Sequence, residues 1–108
     1  MAAVWGPLGQ VNPAATTLTT AYTVPALKHA AVQVVAANIG AGAATIRIAL
    51  SASGAAIDPK HYLLYDYSLA AGASQSTARF ALKATDVVRV YASTTDVAFN
   101  VNGIEDDN

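Results

Sequence analysis

Catalysis or metal binding in this chain would have to start from His29 and His61, its two histidines. Each follows a lysine, Lys28 and Lys60, and Asp58 and Asp66 flank His61. An imidazole between carboxylates is the kind of group that moves protons or takes a metal ion. Two isolated histidines in turn-like positions fall short of a ligand set, and no nucleophile motif accompanies them. Both are read as surface histidines. The chain is expected to have no catalytic residue, no cofactor and no metal, and not to be an enzyme. Gly40-Ala41-Gly42 comes after an apolar run in the manner of a dinucleotide-binding loop. The place of the third glycine is taken by Thr45, and the residues beyond it alternate as a strand where a helix N-terminus would have to hold the pyrophosphate. A hairpin turn fits better.

The tyrosines are a richer signal. Tyr62, Tyr65 and Tyr67 crowd one segment, and Tyr91 lies downstream. Such rings can form a stacking platform for sugars or bases. Basic residues are not interleaved with them at useful density, which argues against single-stranded nucleic acid. Tyrosine is also a common strand residue and is enriched at protein interfaces. The segment is therefore read as core plus interface, with a carbohydrate-binding module as the alternative. Candidate partner contacts are Tyr62, Tyr65 and Tyr67, joined by Val4, Trp5 and Leu8 near the N-terminus.

Composition narrows the class. The 108 residues suit a single domain. Charged residues make up 12% of the chain and hydrophobic ones 54%, against about 25% charged in an ordinary soluble domain. Much of the apolar fraction is alanine, so small apolar side chains must reach the surface. Such a surface favours burial against other subunits, which points to a homo-oligomer, expected to be a trimer. A formal net charge of −1 argues against a nucleic-acid partner. The negative charge concentrates at the C-terminus, where Glu105, Asp106 and Asp107 suggest a solvated acidic tail over 105–108. Disulfides and thiolate metal sites are excluded, because the chain has 0 cysteines. No signal peptide is visible, and no run approaches the ~20 apolar residues of a membrane helix. Synthesis in the cytoplasm and no membrane partner are expected.

The elements that would position these residues are strands. From Leu18 to Ile48 the pattern reads strand, Pro25 turn with Lys28 and His29, central strand, glycine turn, strand. The central piece, Ala30 to Ile39, is apolar enough for burial on both faces. Its Val32, Val35, Ala36 and Ile39 also fit helical spacing, but β-branched Val-Gln-Val-Val and two flanking strands favour strand. Ile46, Ile48 and Leu50 alternate with Thr45, Arg47 and Ala49, with Arg47 facing out. Further strands are read over His61–Leu69, Ser76–Leu82, Val88–Ala92 and Val97–Val101. Alternation places Phe80, Val88, Val90, Phe99 and Val101 in the core. Seven to eight short strands with turn signals between them predict an antiparallel, jelly-roll-like β-sandwich over 13–104. Residues 1–12, interrupted by Gly6, Pro7 and Gly9, form an arm or an edge strand. Their Val4 and Trp5 favour an arm that clasps another surface.

The order of residues resembles that of small structural proteins of tailed bacteriophages, of the capsid decoration or head–tail accessory type. The resemblance rests on Leu8-Gly9-Gln10-Val11-Asn12-Pro13, Thr17-Leu18-Thr19-Thr20, Tyr22-Thr23-Val24-Pro25-Ala26, Lys60-His61-Tyr62-Leu63 and Ala84-Thr85-Asp86-Val87-Val88-Arg89-Val90-Tyr91-Ala92. It spans nearly the whole chain, and its motifs are structural. Such proteins often carry glycine after Val-Pro-Ala, where this chain has Leu27, so a turn of different geometry is expected there. The resemblance implies a virion component that binds the major capsid protein or other virion proteins. A decoration (cement) protein on the head lattice is the leading expectation, and a neck, tail or fibre component the alternative.

Overall fold

Period-two alternation of apolar residues leaves each strand one face to bury, and two sheets packed on each other satisfy all of them. The computed structural model describes residues 3–107. Met1 and Ala2 of the expected arm and Asn108 of the expected tail lie outside the described residues. The strands are β1 (Val4–Val11), β2 (Thr19–Thr23), β3 (Lys28–Asn38), β4 (Ala44–Ser51), β5 (Tyr62–Leu69), β6 (Ser74–Ser76), β7 (Phe80–Leu82), β8 (Val87–Ala92) and β9 (Val97–Asp107). One sheet runs β1-β9-β3-β6 with β7 also on β3, and the other runs β2-β8-β4-β5. All pairings are antiparallel. The fold is a β-sandwich. Counting β6 and β7 as halves of one interrupted strand on β3, the strand order is that of a jelly roll.

The core lies between the sheets, with Val32, Val34, Ile46, Ile48, Val88, Val90, Val97, Phe99 and Val101 buried. Four of the five expected core residues are among them, while Phe80 is only half-buried against the cluster. The cause lies in the break between β6 and β7, where the chain order predicts one continuous strand. Thr77 fills the gap: its Oγ1 accepts the Val34 N–H at 3.1 Å, and its own N–H reaches the Val34 carbonyl at 2.9 Å.

Four expectations need correction. β3 is not buried on both faces: Ala30, Val32, Val34, Ala36 and Asn38 are buried, and Ala31, Gln33, Val35 and Ala37 are half-buried on the outer side. A two-layer sandwich covers only one face of each sheet, and alanine makes the outer face look like core. Lys28 and His29 belong to β3 and not to the preceding turn.

The acidic segment is no solvated tail. Glu105, Asp106 and Asp107 continue β9 opposite Ala30, His29 and Lys28. Asp107 accepts from Lys28 Nζ at 2.6 Å, and the Tyr22 hydroxyl donates to Glu105, tying the sheets together. Burial first, and then that bond to a carboxylate, pushes the Tyr22 phenol well above its usual pKa.

The N-terminal segment is an edge strand of the domain's own sheet and not a free arm. Val4 to Val11 pairs with Glu105 to Phe99. Pro7 is tolerated because β1 is an edge strand and needs donors on one side only. Leu8 is the extra residue of a bulge between Pro7 and Gly9. Gly9 lies so close to β2 that a Cβ there would stand 2.2 Å from the Ala21 carbonyl oxygen. That approach closes one side of the sandwich.

Candidate functional site

The tyrosine segment is positioned by irregularities in β5. Between the pairs Ile46–Tyr67 and Ile48–Leu64, β4 has one residue, Arg47, while β5 has two, Tyr65 and Asp66. Asp66 absorbs the extra length with φ 51°, a conformation that aspartate tolerates better than most residues. The bulge sets Tyr65 and Asp66 together opposite Arg47. On the other side of β4, Arg47 pairs with Tyr91 of β8. A row of Tyr91, Arg47 and Tyr65 therefore crosses three strands on the outer face of this sheet.

Arg47 Cζ lies 4.4 Å from the centroid of the Tyr65 ring and 4.4 Å from that of Tyr91. Its Nε donates to Asp66. That hydrogen bond raises the guanidinium pKa further and holds the group charged. Tyr62 stands edge-on to Tyr65, with centroids 4.8 Å apart and planes at 78°. An open cleft of about 380 Å³ adjoins this pair, lined by Ile57, Asp58, Pro59, Tyr62 and Tyr65.

The loop that forms the cleft holds itself. Asp58 caps a helical turn, Pro59–His61, by accepting the Lys60 N–H at 3.3 Å. His61 Nδ1 accepts the Asp58 N–H at 3.1 Å. His61 is buried and structural rather than a surface histidine, whereas His29 is exposed. Among the described residues no three His, Cys, Asp or Glu side chains converge as a metal site.

The structure thus brings Tyr62, Tyr65 and Tyr91 together and sends Tyr67 elsewhere. Tyr67 donates its hydroxyl to Gln75 Oε1 at 3.0 Å, across the open side of the sandwich. Tyr65 is 58% exposed and Tyr62 half-buried. A guanidinium already lies between the rings of Tyr65 and Tyr91, so their facing surfaces offer no stacking platform for a sugar or base.

The second group of expected contact residues divides. Val4 and Trp5 are exposed, Trp5 to 76%, while Leu8 packs against the core. Cross-strand pairing sets Trp5 beside Ile104, Pro7 beside Asn102 and Gln10 beside Asn100 on the outer face of the first sheet. The amide of Gln10 donates to Asn100 Oδ1 at 2.7 Å. The face continues over β3 through Ala31, Gln33, Val35 and Ala37. From Trp5 to Ala98 its strand positions carry no charged side chain.

Sequence reasoning places Arg47 outward but does not place it between two tyrosines, since cross-strand register is invisible in the chain order. Asp58 stands out in the sequence only as a partner of His61. In comparisons with protein-family models, curated proteins and solved structures, the chain matches none.

Proposed function

We propose that the chain is a structural protein of a virus particle: a decoration protein that binds the outside of a head lattice as a homotrimer and stabilises it. The supporting observation is the outer face of the β1-β9-β3 sheet. It is built of small, amide and apolar side chains, carries no charge at its strand positions from Trp5 to Ala98, and has an exposed tryptophan near one end. Charged residues are depleted and tryptophan enriched at the centres of protein interfaces. Jelly rolls occur in capsid and lectin domains alike, so the fold alone does not choose between them. The resemblance to phage structural proteins favours the particle, and the major capsid protein is the expected partner.

Asn102 lies exposed in the middle of this face, between Pro7 and Gln33. Particles lacking the protein should bind the wild type in hundreds of copies. Asn102→Arg, folded by circular dichroism, should bind about a hundredfold more weakly, because its charge would be buried without a partner. Wild-type binding by that variant overturns this face as the attachment site. Saturation at a few copies or a few dozen points instead to a neck, tail or fibre component. A monomer by light scattering at micromolar concentration removes the trimer from the proposal.

A further inference from the structure

The cleft beside Tyr62 and Tyr65 has aromatic and aliphatic walls and a single charge. Two rings meet nearly at right angles, Ile57 and Pro59 add aliphatic surface, and Asp58 is the one charged residue in the lining. One oxygen of that carboxylate accepts the Lys60 N–H. A carboxylate has about four acceptor sites, so capacity remains for a donor entering the cleft. An anion would meet Asp58 with like charge. A sugar stacks on a single broad ring face, and Arg47 already covers one face of Tyr65. A cation is attracted by the ring quadrupoles and by the carboxylate together. The Tyr65 ring already holds one such group, Arg47, whose charge Asp66 meets.

We propose that this cleft receives the cationic end of a lysine or arginine side chain presented by a partner protein. The ammonium or guanidinium group sits in the corner between the rings of Tyr62 and Tyr65 and pairs with Asp58. The aliphatic stem lies along Ile57 and Pro59, as long basic side chains do on apolar surface. This contact is on the sheet opposite the proposed attachment face and stands or falls independently of it.

The test is a titration of amide resonances with a capped Gly-Lys-Gly peptide, with Gly-norleucine-Gly and methyl glucoside as neutral probes. The lysine peptide should shift the resonances of 57–65 with a millimolar Kd, and added salt should weaken it. The neutral probes should leave those resonances in place. Asp58→Asn keeps an oxygen for the helical turn but removes the charge, and should weaken the lysine peptide about tenfold. Tyr65→Ala should weaken it as well. Equal shifts from norleucine or glucoside, unchanged binding by Asp58→Asn, or no shift from the lysine peptide at tens of millimolar would each overturn the proposal.

Discussion

The outer faces of the two sheets start from the same alternation and end with different contents. On the β2-β8-β4-β5 side, Arg47 lies against the rings of Tyr91 and Tyr65 and bonds Asp66, and Tyr62 meets Tyr65, so the contacts cross three strands. On the β1-β9-β3 side, from Trp5 to Ala98, the residues are alanines, amides, Val35, Ile104, Pro7 and Trp5, joined mainly by the backbone ladder. The first face has its polar and aromatic groups engaged within the chain. The second keeps an uncharged surface whose largest residue is turned to solvent. That contrast is why attachment is proposed for one sheet and a single-side-chain contact for the other.

The largest expected effect tests whether the two faces belong to one body. Phe99 is fully buried on β9. Phe99→Ala should cost about 3–5 kcal/mol, a large part of a small domain's stability. The chain has built-in reporters, since its one tryptophan is on β1 and all five tyrosines are on β2, β5 and β8. Urea unfolding followed by Trp5 fluorescence and by tyrosine near-ultraviolet dichroism should give coincident transitions, both shifted alike by Phe99→Ala. Separate transitions would make the faces properties of two units and dissolve the comparison.

A smaller effect separates the faces. Arg47→Ala removes two cation–ring contacts and a charged hydrogen bond, and should cost about 1–2 kcal/mol by chemical denaturation. Asn102→Ala on the opposite face should stay within about 0.5 kcal/mol of the wild type. If the two substitutions cost the same, the aromatic row contributes no more to the fold than the uncharged face does.

The features legible in the sequence are those that repeat with period two over consecutive residues. Val97, Phe99 and Val101 read correctly as inward because each side of the alternation differs in type. The outer face of β3 reads as core because Ala31, Val35 and Ala37 are apolar yet lie outside, and no local rule distinguishes a small exposed residue from a buried one. The acidic end misleads for another reason. The partners of Glu105 and Asp107 are Tyr22 and Lys28, about eighty positions away. The N-terminal strand is obscured by Gly6, Pro7 and Gly9, which break a central strand but are compatible with a bulged edge. The cleft at Asp58 needs the β5 bulges, whose extra residues leave no mark on composition.

An effect of the opposite sign concerns Leu27, which belongs to neither face. It stands at the end of the sandwich where β1 begins and β9 finishes, in a turn closed by the Lys28 N–H on the Pro25 carbonyl at 3.3 Å. The loss of glycine there predicts a different turn geometry. Instead Leu27 has φ 64°, in the left-handed region that glycine occupies freely, and is 80% exposed. A leucine in that region bears about 1–2 kcal/mol of strain. Glycine would relieve it but loses about 0.5–1 kcal/mol more in chain entropy on folding. Leu27→Gly should therefore stabilise the isolated protein by about 0.5–1 kcal/mol, read as a higher denaturation midpoint with unchanged slope. A strained, exposed leucine contributes nothing to its own fold that glycine would not supply. If the variant is more stable yet binds particles more weakly, Leu27 extends the attachment surface beyond Trp5 around the end of the sandwich. If it is less stable, the leucine makes contacts within the fold that outweigh its strain.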